Sequence, residues 1–331
     1  MPRPTVALWM YQDLGGDLIT KKLSRTLQSQ GIEVISNFDL RKSMLYEGNV
    51  WTEDERCLSE VDVLYQMNAD DQSPFQNNLL QILELQGVSV INSMRSFNQA
   101  KDKLLTNTLL RQANIPVPLA IGLDQNQLSA QIAALTENWP SILMKPRGLH
   151  GGKGIVKWGN FDHLKDGWQL ISQRADQFYL ESYIPFGEHD FRVEVINGKI
   201  AGCYSRQKAH SFKTNISAEG GLMGINCPDF CKDIALQAVQ LLGLDCSIVD
   251  MVMHKYTGEY YILEVNPALG VFNEAAIAKG VPIFHRGNES YKNDDLKLSL
   301  LQKLIIQKLK KSFNGYRNRK MSTNTVLSGN I

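Results

Sequence analysis

Over residues 4–92, short apolar runs alternate with amphipathic stretches. Residues 4–9, "IEVIS", "VDVLYQM" and "VSVIN" read as strands. Asp17 to about Gln30 and "FQNNLLQILELQ" carry apolar positions three and four residues apart and read as helices. This βαβ rhythm predicts a parallel sheet covered by helices. At the first strand-to-helix turn lies "DLGGD", Asp13 to Asp17. Gly15 and Gly16 there allow either close approach of a ligand to the backbone or a plain tight turn.

The pattern changes after residue 92. Residues 95–113 predict one helix carrying "AKDKLLTNTLLRQ", stopped by the two prolines of "NIPVPLA". "SILMKP" and "KGIVKW" read as strands flanking a glycine-rich turn, with a helix following near 161–174. "QFYLESYIPFGEHDFRVEVINGKIAGCYSRQ" reads as strand, loop, strand, Asn-Gly hairpin and strand. "CKDIALQAVQLLGL" reads as a helix, and "CSIVDMVMH" with "EYYILEVN" as a last strand pair. Local hairpins give this half an α+β character, against the α/β character of the first. After about residue 290 the chain is amphipathic and increasingly basic, then polar. A terminal helix packing its apolar stripe on the body is expected, followed by a frayed tail. Its basic face would also suit an acidic partner or a membrane surface.

Composition narrows the function classes. The 331 residues are 43% hydrophobic and 21% charged, as expected of a globular chain of two or three compact units. The formal net charge of +1 gives no argument for nucleic acid. No apolar run reaches the ~18 residues of a membrane span, and the start, "PTVALWM", lacks the pattern of a cleaved leader. The five cysteines are scattered, and Cys227 and Cys231 lack CxxC spacing. Reduced thiols in a cytoplasmic setting are expected.

The glycine turn is the first candidate for chemistry. "KPRGLHGGKG" places Gly148, Gly151, Gly152 and Gly154 around Lys153, just after Lys145. Bare backbone N–H groups and a lysine can wrap phosphate oxygens; glycines between strands can also make only a loose hairpin. The Walker pattern is absent, so a nucleotide-binding version would be a flap. Near the end, Asp250 sits inside "IVDMV", and Glu264 and Asn266 share one strand face in "YILEVNP". A carboxylate in an apolar strand is costly unless neutralised. Mg²⁺ ions on nucleotide phosphates would do this with oxygen ligands alone; salt bridges at strand ends are the other reading. For Asp250 to face Glu264, the turn near Thr257-Gly258 must be odd in length or the pair must carry a bulge. Arg192 and Arg206 lie on the two arms of the Asn197-Gly198 hairpin, either as anion clamps or as surface cross-strand pairings. The strand end Glu181-Ser182-Tyr183-Ile184 can offer backbone groups to a purine edge, and Glu188 can accept from ribose hydroxyls.

Together, "KDKLLTNTLLRQANIPVP", "MKPRGLHGGKGI", "LESYIPFGEHDFRVEVINGKIAGCYSR", "FKTNISAEGG" and "VDMV…YYILEVNP" resemble the ATP-grasp superfamily. Within it they resemble the RimK-like carboxylate–amine ligases, from about Asn92 to Gly280. The flap "RGLHGGKG" is longer and more basic than is usual in that branch. The resemblance implies an ATP-grasp fold preceded by a Rossmann-like βα domain. Its implied boundaries are 1–92 for that domain, 93–183 for the central subdomain with its flap, 184–290 for the C-terminal subdomain and 291–331 for the basic helix and tail. It implies that Lys103 and Lys145 contact nucleotide phosphates, and that Gly151, Gly152, Lys153 and Gly154 form the flap. Glu181, Ser182, Tyr183 and Ile184 would form the adenine hinge and Glu188 would hold the ribose. Asp250, Glu264 and Asn266 would bind two Mg²⁺ ions, with Mn²⁺ as a substitute. Arg192 would stand near the transferred phosphoryl group, while Arg206 and Asn215 would line the acyl-phosphate pocket. The implied activity joins a carboxylate substrate, an amino acid such as glutamate or a peptide, to an amine on a metabolite, peptide or protein tail, releasing ADP and phosphate. The family also implies a homo-oligomer, dimer or tetramer; the net charge and the lack of a long apolar run lead us to expect no nucleic-acid or membrane-spanning partner. Residues near Gly15 and Asn68 to Asp71 are candidates for substrate choice. A non-catalytic ATP-binding regulator and a ligase using a non-amine nucleophile share the same fold.

Overall fold

The computed structural model describes residues 3–10, 17–67, 73–147, 154–173, 177–206, 222–224, 227–269, 283–285 and 294–327. They fall into two compact units: one holds the described residues up to Arg95 and the C-terminal helix, the other those from Ser96 to Leu269 and 283–285.

In the first unit, β1 (Thr5–Trp9), α1 (Asp17–Gln28), β2 (Glu33–Ile35), β3 (Met44–Tyr46), β4 (Asn49–Trp51), β5 (Val63–Gln66), α2 (Pro74–Leu85) and β6 (Ser89–Ile91) follow in order. A parallel sheet of order β2-β1-β5-β6 forms, as the βαβ rhythm predicts. Val6 to Trp9 are buried throughout, as strands covered on both faces require. Ile19, Leu23 and Leu27 give α1 a buried stripe, and Leu79, Leu80 and Leu83 do the same for α2. Pro74 opens α2, where Gln76 Oε1 accepts from the Ser73 backbone N–H at 2.8 Å. The β3–β4 hairpin was not predicted. Its turn, Glu47-Gly48, has both φ angles positive (48° and 79°) but lacks the Asn-Gly or Asp-Gly signature of that turn.

Across and beyond the unit boundary at Ser96, α3 (Met94–Lys101) and α4 (Lys103–Gln112) replace the single helix predicted over 95–113. Asp102 breaks it: its extended backbone (φ −86°, ψ 107°) and its carboxylate cap α4, accepting from Leu104 N at 2.9 Å. Next come β7 (Ala120–Asp124) and α5 (Ala130–Thr136), both unpredicted, then β8 (Ile142–Lys145), β9 (Val156–Trp158), α6 (Phe161–Ser172) and β10 (Gln177–Ser182). The β strands form an antiparallel sheet of order β7-β10-β8-β9. Its core includes Leu123, Ile142, Leu164 and Leu180, with Trp168 and Phe178 ring centres 4.5 Å apart.

The larger sheet contains β11 (Phe191–Ile196), β12 (Lys199–Arg206), β13 (Leu222–Gly224), β14 (Cys246–Met253), β15 (Tyr260–Asn266) and β16 (Ile283–His285), in the order β15-β14-β11-β12-β13-β16. Asn197 and Gly198 turn β11 into β12 with φ of 51° and 68°, the predicted Asn-Gly hairpin. Helix α7 (Asp229–Leu241) covers this sheet through Cys231, Ile234, Ala235, Ala238 and Val239. The C-terminal α8 (Asp294–Leu327) belongs to the first unit and buries Leu300, Leu301, Leu304, Ile305 and Leu309 in contact with α1, β5 and β6. It continues through Gly315 and past the predicted fraying point at Met321, to Leu327. Among the described residues, no helix is long and apolar enough to cross a membrane.

Candidate active site

The site is built around Asp250 on β14. Asp250 pairs directly with Glu264 on β15, and the register shifts between Asp250 and Met251. That bulge carries Glu264 across from Asp250, on the same sheet face, as the sequence required. Without it, the register set at Met253 and Tyr260 would place Leu263 opposite Asp250.

Three cations answer the two acids. Arg192, the cross-strand partner of Asp250 on β11, donates from Nε to Asp250 Oδ1 at 2.7 Å. Arg206, at the end of β12, donates from Nη2 to Asp250 Oδ2 at 3.0 Å. Lys103 Nζ lies 3.1 Å from Glu264 Oε1. Neither arginine is a surface cross-strand pairing; Arg206 is 8% exposed. Asp190 holds Arg206 in place. Its Oδ1 accepts from the Arg206 backbone N–H at 2.8 Å, and its Oδ2 accepts from Nε at 2.9 Å and also from Nη2. Asp190 was not among the predicted site residues. Its signal was a buried-type acid two residues before Arg192 in "HDFRV", and its partner lies across the hairpin.

The local electrostatics follow from burial. Desolvation pushes Asp250 above the ordinary carboxylate range, against the pull of Arg192 and Arg206 and with Asp190 and Glu264 adding to the rise. Burial works against the Arg192 charge, but Asp250, Tyr204 and Asp190 outweigh it and hold the guanidinium above its usual value.

A second charged group lies on the neighbouring sheet. Lys145, at the end of β8, donates to Glu181 Oε1, and the Tyr179 hydroxyl donates to Glu181 Oε2 at 2.9 Å. Lys145 and Glu181 are both buried. Burial, then the Glu181 charge, raises the Tyr179 phenol well above its ordinary value. Lys103 opens α4 beside this group: its backbone N–H donates to the Arg147 carbonyl at 3.3 Å, and Arg147 pairs with Asp102. A narrow cleft opens here, lined by Lys103, Thr106, Asn107, Tyr179, Leu263 and Glu264 among others.

The hinge candidates differ in what they have to offer. The N–H groups of Ser182 and Tyr183 already donate to the Leu119 and Ser141 carbonyls, at 2.8 and 2.9 Å. Of the backbone groups these two residues could offer a purine edge, the carbonyls remain and the N–H groups are already engaged. The Lys157 ammonium lies 3.7 Å from the Tyr183 ring centre. Ile184 is half-buried and Glu188 is exposed. Gly154 has φ of 72°, a value that favours glycine. Gly151, Gly152, Lys153 and Asn215 lie outside the described residues, as do Gly15, Gly16 and residues 68–71.

The candidate metal ligands can be tested against their surroundings. Asp250, Glu264 and the Asn266 amide form an oxygen donor set of the type hard divalent cations prefer. Asn266 Nδ2 is buried without a hydrogen-bond partner, and a flip of the amide turns its carbonyl oxygen to the same point. Among the described residues, no three His, Cys, Asp or Glu side chains gather as a metal cage. The set thus fits a cation that shares its coordination with a bound phosphate.

Comparison with known proteins decides the family. The RimK-like ATP-grasp domain model matches residues 100–279. The chain belongs to the RimK-like ATP-grasp family. As an ATP-grasp protein of this family it is a C–N bond-forming, ADP-forming ligase. Members of the family use ATP and a divalent metal. The chain is 27% identical over 216 residues to the "Probable alpha-L-glutamate ligase" of Haemophilus influenzae, covering 65% of this chain and 70% of that protein. It is 27% identical over 198 residues to the glutamate–LysW ligase ArgX of Sulfolobus acidocaldarius, covering 56% and 66% respectively. The solved structure of the ATP-grasp ligase PsnB complexed with minimal precursor superposes with a TM-score of 0.62 at 20% identity, covering 93% of this chain and 99% of that one. That similarity extends the ATP-grasp fold across the chain.

Proposed function

We propose that this protein is an ATP-dependent carboxylate–amine ligase that joins glutamate, or a similar amino acid, to a small-molecule, peptide or protein substrate through an acyl phosphate. The observation that carries this reading is the facing of Asp250 and Glu264 inside a ring formed by Lys103, Arg192 and Arg206. Relatives named as glutamate ligases support the choice of amino acid.

The mechanism rests on an exchange of partners. Glu264 is offset by Lys103 and Glu181 by Lys145. With ATP bound, the two lysines would turn to the phosphates, and Asp250, Glu264 and Asn266 would hold the divalent cation, two Mg²⁺ ions in our reading, with Mn²⁺ as a substitute. When bound, the metal neutralises phosphate charge and aligns the γ-phosphoryl group. Lys103 and Lys145 weaken the repulsion between the incoming carboxylate and ATP. Arg192 stabilises the oxyanion formed when the amine attacks the acyl carbonyl, and Arg206, fixed by Asp190, clamps the acyl phosphate. Gly151 to Gly154 close over the nucleotide and exclude water, which would otherwise hydrolyse the intermediate. No covalent nucleophile is needed.

The test is ADP release from Mg²⁺-ATP with amino acids and candidate acceptors, singly and in pairs, with products followed by mass spectrometry. Release that requires both partners and yields a new amide mass is expected. Absence of Mg²⁺-ATP binding by calorimetry would overturn the site assignment.

A further inference from the structure

Lys103 and Lys145 belong to different parts of the second unit. Lys145 ends β8 in the antiparallel sheet and is held by Glu181, whereas Lys103 opens α4 and is held by Glu264 of the larger sheet. Arg147 ties the two together. Its backbone carbonyl, two residues beyond Lys145, accepts from the Lys103 N–H at 3.3 Å. Its guanidinium donates from Nε to Asp102 Oδ1 at 3.3 Å and from Nη2 to Asp102 Oδ2. Nη1 donates to Gln177 Oε1, at the start of β10. Asp102 Oδ1 in turn caps α4, accepting from Leu104 N and Leu105 N at 2.9 and 3.3 Å. We propose that Arg147 is a positioning residue that fixes the spacing between Lys103 and Lys145, and so between the two cations that meet the nucleotide. Its role rests on the reading of both lysines as phosphate contacts.

The number of partners explains why the residue is an arginine. A planar guanidinium can meet a carboxylate with two N–H groups and still offer a third edge to Gln177, whereas a lysine ammonium is a single point charge. Each of the three guanidinium nitrogens has a partner within the chain. Arg147 is thereby assigned to holding the site rather than to binding phosphate itself. Nor is it chiefly a stabilising group. The Arg147 and Asp102 side chains are 30% and 22% exposed, and ion pairs in contact with solvent add little to stability. What the contacts do set is placement. Helix α4 begins one residue after Asp102, so the carboxylate that Arg147 holds decides where the Lys103 side chain starts. A misplacement of about 1 Å in such an array can cost ~10²-fold in rate.

The affinity of the full-length protein for Mg²⁺-ATP is measured by calorimetry, with Tm alongside. The set is wild type, Arg147→Met, Arg147→Lys, Asp102→Asn and the double variant of Arg147→Met with Asp102→Asn. Asparagine at position 102 keeps an oxygen for the α4 cap and loses the charge that Arg147 pairs with. Arg147→Met should raise the Kd about tenfold, while Tm moves by about 2–4 °C at most. Arg147→Lys, which keeps the charge and loses the fork, should stay closer to Arg147→Met than to wild type. The double variant should bind no more weakly than the weaker single variant, because both changes break one contact. An unchanged Kd in Arg147→Met, full affinity in Arg147→Lys, additive losses in the double variant, or a loss of affinity that tracks a large fall in Tm would each overturn the proposal. Wild-type protein that binds no Mg²⁺-ATP would instead overturn the phosphate reading of the two lysines, and this role with it.

Discussion

At the scale of single residues, the site is a balance of buried charge. Asp190, Asp250 and Glu264 face Arg192, Arg206 and Lys103, and each acid has a cationic partner. Removing one partner of such a buried pair costs about 3–5 kcal/mol, because the remaining charge is left uncompensated. Asp190→Ala should therefore lower unfolding free energy by roughly 3 kcal/mol in urea titrations, whereas an exposed acid such as Glu188 should tolerate alanine. Arg192→Lys keeps a charge but loses the planar fork, so we expect kcat to fall about 10²–10³-fold, the scale of a lost oxyanion donor; single-turnover kinetics would measure it. That Asp250 and Glu264 need compensating charge was legible in the sequence, because an acid inside an apolar strand demands it. Asp190 was not, because its partner Arg206 is sixteen residues away across a hairpin, and nothing local marks that contact. The partners of Lys145 and Lys103 were hidden for the same reason: Glu181 and Glu264 meet them only through the fold.

At the scale of elements, the strands and helices that the pattern made plain are those with long apolar periods. The need for a bulge between β14 and β15 was also legible, since strand parity alone demands it. What stayed hidden was set by single residues or weak signals. Asp102 ends one helix and starts the next, and the Glu47-Gly48 turn closes a hairpin of three-residue strands. Asp102→Ala should cost about 1 kcal/mol for the lost cap and should weaken ATP binding as well, since α4 begins with Lys103; thermal unfolding and calorimetry would report the two effects. Gly167 in α6 gives a prediction against simple propensity. Alanine there gains up to about 1 kcal/mol of helix preference, but its Cβ would come within 2.4 Å of the Trp158 ring. Overpacking of that kind costs about 1–3 kcal/mol, so Gly167→Ala should lower the Tm.

At the scale of the whole molecule, α8 returns to the first unit, as its apolar stripe implied, and the two units each carry a core of their own. Stability should also fall on the alkaline side. The Cys231 thiol is raised from 9.0 to about 12 by burial and the Cys227 charge, so the folded chain holds that proton more tightly than the unfolded one. Its contribution is complete below pH 9.0 and disappears as pH rises toward about 12. Tm measured across that range should drop less steeply in Cys231→Ala than in the wild type. The central claim concerns the carboxylate: it is activated by phosphoryl transfer before the amine attacks. With ¹⁸O in the carboxylate of the acid substrate, the released phosphate should carry one ¹⁸O atom for each amide formed, read by mass spectrometry. Amide formed with unlabelled phosphate would contradict the acyl-phosphate route and the roles assigned to Arg192 and Arg206.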